Sequence, residues 1–149
     1  MTDAPKTPAD MLYAGVQLTR PLLRNITARV EADLASSGIT VGQRAILEAL
    51  LSRPSATAPE LTALLQLKRQ FVARELKELL AKGMVCTEAN ARHSRSHFYR
   101  LTDQSRHVIE QIRDREMAEF ARFAARFTPE EIAAYLKIQT ALNAALSDH

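Results

Sequence analysis

The sequence predicts a mainly α-helical fold with a small two- to three-stranded β-sheet, and three observations predict it. Apolar residues recur at spacings of three and four over most of the 149 residues, the period of helices that each bury one face. Threonines at 40, 57, 102 and 128 stand where helix caps belong. Between Met84 and Leu101 the helical period gives way to short runs of Val, Cys, Thr, Phe and Tyr, which suit extended chain. Few aromatics, no Trp, four Gly and six Pro agree with a helical chain of one domain, or one domain whose terminal extensions borrow a partner.

Residues 1–8 read as a disordered tail. From Ala9 to about Ala35, Leu12, Val16, Leu23, Ile26, Val30 and Leu34 trace a helical stripe. Pro21 either kinks this helix or marks a junction, and Ser36-Ser37-Gly38 stop it. Thr40-Val41-Gly42-Gln43 has the form of a capping box and starts a second helix that runs to about Arg53, before Pro54. Thr57-Ala58-Pro59-Glu60 repeats the pattern for a short helix to about Leu65, and Gln66 and Leu67 leave room only for a tight turn.

The following stretch, LLQLKRQFVARELKELLAKGMV from Leu64 to Val85, organises the chain. At about 100° per residue, Val72, Leu76, Leu79 and Leu80 fall on one side, with Gln70, Ala73, Arg74 and Lys77 on the other. Arg and Gln make paired hydrogen bonds to base edges, Lys neutralises phosphate, and a small Ala lets a partner approach, so the polar stripe suits a DNA major groove. An ordinary solvated face would read alike on this segment alone. Gly83 stops the helix at a position that favours positive φ. Two short helices around a tight turn, the second with a cationic face, make a helix-turn-helix.

Met84–Glu88 and His97–Leu101 then read as strands around the polar loop 89–96, ANARHSRS, a hairpin with a basic tip and hence a wing. Thr102 is a fair cap for a long helix whose seam runs through Val108, Ile109, Ile112, Phe120, Phe123 and Phe127, broken by Glu116. Thr128-Pro129-Glu130-Glu131 is the clearest start signal in the chain, for a last helix with Ile132, Leu136, Leu142 and Leu146. The resulting organisation is a winged helix-turn-helix over 38–102, flanked by long dimerisation helices over 9–37 and 103–149.

The net charge is +3, but it is unevenly placed. Between Gln66 and Arg106 nine Lys or Arg face four acids, leaving eleven against thirteen elsewhere. A basic centre between mildly acidic ends suits double-stranded DNA bound by a scaffolded surface. The long apolar helices at both ends hide only part of their surface within one subunit, which favours a homodimer over a monomer. No apolar run approaches the roughly 20 residues of a membrane span, and the N-terminus lacks a signal core, so a cytoplasmic protein is expected. A single cysteine, Cys86, excludes an internal disulfide framework. No phosphate loop, nucleophile elbow, supported carboxylate pair or cofactor fingerprint is present, so no enzyme and no cofactor is expected. The spacing of Cys86, His93, His97 and His107 matches no recognised zinc site. Cys86 reads as a small buried hydrophobe in preference to a redox sensor. The competing class is a helical dimeric interaction module whose basic helix meets an acidic protein.

In their order and spacing, ITVGQRAILEAL, TAPELTALLQL, the RQFVARELKELLAKGMV helix and the closing FYRLT resemble the MarR (multiple antibiotic resistance regulator) family of winged helix-turn-helix transcription factors. The resemblance implies a homodimer on palindromic operator DNA, usually a repressor, released by a small aromatic or phenolic effector or by an oxidant. It implies DNA contacts from Lys68, Arg69, Gln70, Ala73, Arg74 and Lys77 on the recognition helix and from Arg92, Ser94 and Arg95 on the wing. The family's wing-tip Asp-Arg-Arg is here His93-Ser94-Arg95, which keeps the last Arg without the orienting carboxylate, and the usual Gly after Leu-Thr is Ser105. Arg95 is expected in the minor groove, Arg92 on phosphate, and His93 as a source of pH sensitivity. An effector pocket is implied where the first, second and fifth helices meet, with Tyr13, Gln17, Arg20 and Gln43 as its polar residues.

Overall fold

A computed structural model describes residues 4, 6–93 and 95–147. Seven helices and two strands follow in order: α1 Pro8–Gln17, α2 Thr19–Leu34, α3 Val41–Leu51, α4 Ala58–Leu65, α5 Arg69–Ala81, β1 Val85–Ala89, β2 His97–Leu101, α6 Asp103–Ala124 and α7 Pro129–Leu146. The chain divides into two compact units, Met1–Thr102 and Asp103–His149.

Helix α1 starts one residue before the expected Ala9, because Thr7 accepts from the Asp10 amide while Asp10 accepts from the Thr7 amide, a reciprocal box that places Pro8 in the first turn. The Asp10 carboxyl is held below its ordinary pKa by the Thr7 amide first and the Thr7 hydroxyl second. The Pro21 junction falls at Leu18, between α1 and α2. Pro21 has no N–H for the Gln17 carbonyl, so α1 stops at Gln17, and Pro21 itself sits in the first turn of α2, where the missing donor costs nothing.

The core of the first unit forms where α3, α4 and α5 meet the hairpin. Ile46, Leu47, Leu50, Leu61, Val72 and Leu79 are fully buried, and Ala56, Met84, Val85 and Leu101 close the space beneath. Thr40 and Gln43 make the expected box at the start of α3. Thr57 accepts from the Glu60 amide at the start of α4. Gln66 ends α4 in the left-handed region at φ 52, the tight turn expected there. At the far end of α5, the Gly83 amide donates to Leu80 O and the Met84 amide to Leu79 O, with Gly83 at φ +69, which together form a Schellman stop.

Strands β1 and β2 pair antiparallel with Val85 opposite Leu101 and Ala89 opposite His97. Beyond this two-stranded sheet, Ala56 exchanges backbone hydrogen bonds with Tyr99, a single bridge that ties the chain before α4 to the wing. Leu80 departs from its expected place on the packing stripe: it is 39% exposed, and the buried face of α5 runs through Val72, Glu75, Leu76 and Leu79. Position 80 lies about 40° beyond Leu76, the edge of that face, and so turns toward solvent.

The stripes expected to pack on the end helices are mostly bare. Helices α1 and α7 have no buried residue, and Leu12, Val16, Leu23 and Ile26 are exposed, leaving Leu34 as the buried member of that stripe. In the second unit Ser105, Ile109 and Ile112 are buried, whereas Met117, Phe120, Phe123 and Phe127 are exposed.

Candidate nucleic-acid interface

Each residue of α5 is assigned to a face by the 3.6-residue period. Burying Val72, Leu76 and Leu79 turns Gln70, Ala73, Arg74 and Lys77 outward, and all four are exposed, as are Lys68 and Arg69 at the helix start. Arg74 is positioned as well as exposed. Its guanidinium lies 5.4 Å from the centre of the Phe71 ring, and its Nε is 3.8 Å from Glu75 Oε1, two weak restraints that limit the arc this side chain sweeps.

The wing folds back beside this face. A cleft of about 710 Å³ lies between α4, α5 and the hairpin, lined by Arg69, Ala73, His93, Arg95 and His97 and, among the described residues, by no acidic side chain. Residues 20 or more positions apart in sequence thereby meet in one cationic trough, an arrangement that favours a polyanion. Arg92 is exposed at the wing tip, and Ser94 lies outside the described residues.

The loop that carries Arg95 is braced by Asn90. Its side-chain oxygen accepts from the Arg92 amide at 3.0 Å, and its Nδ2 donates to Ser96 Oγ at 2.9 Å. Backbone bonds from His93 N to Asn90 O and from Ser96 N to His93 O complete the turn. This bracing orders the loop where no wing-tip carboxylate is available. The sequence signal for it is an Asn at the loop start, a residue that bonds its own backbone two positions on. Across the hairpin, Arg100 pairs with Glu88 at 2.9 Å, and its Nε donates to Cys86 Sγ at 3.2 Å, so Cys86 is a half-buried part of the wing face.

The four effector-pocket residues have different surroundings. Tyr13, Gln17 and Arg20 are exposed on α1 and the start of α2. Gln43 is fully buried, and its amide is already committed. Its Oε1 accepts from the Thr40 amide and from Lys82 Nζ, while its Nε2 donates to Glu78 Oε2 at 2.8 Å. Lys82 also donates to Gly38 O at 2.7 Å. Gln43 thereby bolts the start of α3 to the end of α5, a role the sequence did not suggest. Periodicity does not reveal this, because the partners lie 35 and 39 residues away.

The family model described as the MarR family matches residues 37–96 of this chain. The transcriptional regulator AdcR of Streptococcus pneumoniae serotype 2 is 31% identical over 96 residues, which cover 62% of this chain and 66% of that protein, just under two thirds of its length. A crystal structure of a MarR family transcription regulator is similar along 94% of this chain and 93% of its own, with a TM-score of 0.88 and 49% identity. The crystal structure of Streptococcus pneumoniae FabT in complex with DNA matches over 93% of this chain and 99% of its own, with a TM-score of 0.80 at 20% identity, a likeness of fold.

Proposed function

From the premise that this chain belongs to the MarR family of transcriptional regulators, we propose that it acts as a homodimeric, ligand-responsive repressor of genes beside a pseudo-palindromic operator. The observation that carries the reading is the cationic trough in which Arg69 and Ala73, from the exposed face of α5, stand together with the wing residue Arg95. Helix α5 enters the major groove, with Gln70 and Arg74 reading base edges and Lys68, Arg69 and Lys77 on phosphates. Arg95 enters the adjacent minor groove, and Arg92 and Ser94 contact the backbone. That FabT was crystallised in complex with DNA supports this docking.

Two subunits are required because one recognition helix reads one half-site. A two-fold pair presents two copies of α5 about 34–36 Å apart, one turn of DNA. The exposed apolar side chains of α1, α2, α6 and α7 supply the surface for such pairing. A small aromatic or phenolic effector near Tyr13, Gln17 and Arg20 acts by preferring a spacing of the two helices that fits DNA less well.

A gel shift with the chain's own upstream DNA tests the reading. Binding should weaken with salt at a slope of about −0.9 per phosphate contact. It should also fall in Arg74→Ala and Arg95→Ala. Binding that is absent, or indifferent to both changes, would assign α5 to an acidic protein partner instead.

A further inference from the structure

Behind the DNA-facing side of α5 lies a second cavity, of about 550 Å³, between the end of α2, the start of α3 and α5. Its walls are apolar at Leu34, Ile39, Val41 and Phe71, and acidic at Glu31 and Glu75, with no basic side chain among the described residues that line it. None of Tyr13, Gln17, Arg20 or Gln43 lines it.

Glu75 is the unusual member. It occupies the middle of the buried stripe of α5, three residues after Val72 and four before Leu79, and its side chain is only 8% exposed. Its Oε1 has the 3.8 Å contact with Arg74, but its Oε2 is buried without a hydrogen-bond partner. A carboxylate oxygen withdrawn from water and left unpaired is costly to the fold, and a donor placed beside it recovers that cost.

We infer that this cavity is a binding site for an organic cation, an ammonium group on a compact apolar body. The ammonium donates to Glu75 Oε2 and faces the second carboxylate of Glu31, while the body packs on Leu34, Ile39, Val41 and the Phe71 ring. The start of α3 also borders the cavity, but its partial positive charge of about one half is outweighed by two carboxylates, and Thr40 and Gln43 already cap it. A bare metal ion fits poorly: among the described residues no three His, Cys, Asp or Glu side chains converge to hold one.

The site is coupled to the opposite side of α5 through a single side chain. Glu75 adjoins Arg74 through Oε1 and also lines the cavity, so one carboxylate borders both. An ammonium that draws the carboxylate inward relaxes Arg74. This coupling rests on the DNA reading proposed above, whereas binding of the cation does not.

Calorimetry on the full chain at neutral pH tests the site, with phenethylamine as the cationic probe and phenylacetate as its anionic counterpart. Phenethylamine should bind saturably and phenylacetate should not. Glu75→Gln should weaken phenethylamine by about tenfold or more, the loss of one charge-assisted hydrogen bond. The same variant should melt no lower than the parent, since it removes a poorly partnered buried charge. Glu31→Gln, at an exposed position, should weaken binding severalfold. Equal binding of the two probes, no saturable binding of phenethylamine, unchanged affinity in Glu75→Gln, or a clearly lower melting temperature for that variant would each overturn the assignment. Phenethylamine should also shift the gel-shift midpoint of the parent and leave that of Glu75→Gln unmoved. Cation binding without this shift would leave the site standing and remove only its coupling to DNA.

Discussion

Arg74 and Lys77 share one exposed face of α5 but are expected to fail differently. Arg74, restrained by Phe71 and Glu75, is suited to paired hydrogen bonds with a base edge. Arg74→Ala should therefore cost about 1–3 kcal/mol on the specific operator and relax the sequence preference at one position. Lys77→Ala should weaken binding to all sequences alike and reduce the salt slope by about one. Titrations at several salt concentrations, on specific and scrambled duplexes, separate the two. Glycines make a second contrast. A Cβ at Gly42 would lie 2.5 Å from Phe71 Cζ, whereas one at Gly83 would meet nothing within 4 Å. Gly42→Ala should thus destabilise by about 1–3 kcal/mol through overpacking, and Phe71→Leu should recover part of that loss in a double-mutant cycle. Gly83→Ala should cost about 1–2 kcal/mol through its positive φ alone, with no second site able to rescue it. The polar face of α5 was legible from spacing. The Phe71 contact was not, since position 42 lies on another helix.

At the scale of elements, the helix starts at Thr40, Thr57 and Thr128 were legible because each cap is made within three residues of itself. Thr57→Ala should cost about 0.5–2 kcal/mol in denaturant unfolding, by leaving the start of α4 uncapped. The start of α1 was less legible, since the reading of 1–8 as tail passed over the Thr7–Asp10 pair. That pair predicts a pH dependence. The folded Asp10 carboxyl is depressed by the Thr7 hydrogen bonds, so its contribution is fully present above the ordinary carboxylate pKa and is lost as pH falls through the lowered value. Amide exchange in α1 should accelerate over that acidic window, and Thr7→Ala should remove the pH dependence. The hairpin was legible from its change of period, but the Ala56–Tyr99 bridge was not, because a single bridge has no periodicity of its own.

For the whole molecule, the exposed apolar surface is the feature that one chain leaves unexplained. Phe120 and Leu136 are each 65% exposed and Leu23 is 63% exposed, on helices whose sequence pattern promised burial. Large apolar patches of this kind mark interaction surfaces. Phe120→Glu should shift the sedimentation coefficient from dimer toward monomer and abolish the operator gel shift. It should leave the melting of the Met1–Thr102 unit little changed, because the core of that unit is built from α3, α4, α5 and the hairpin.

What the sequence by itself determined was the set of elements and which face of each is polar, since caps, breaks and periodicity are settled among residues a few positions apart. Tertiary structure decided three things besides: that Gln43 serves Glu78 and Lys82, that Glu75 lies buried within an apolar stripe, and that Arg69 and Arg95 share one trough. Each depends on chain segments tens of residues apart meeting in space. A buried polar atom finds its partner, or lacks one, only after that meeting has excluded water.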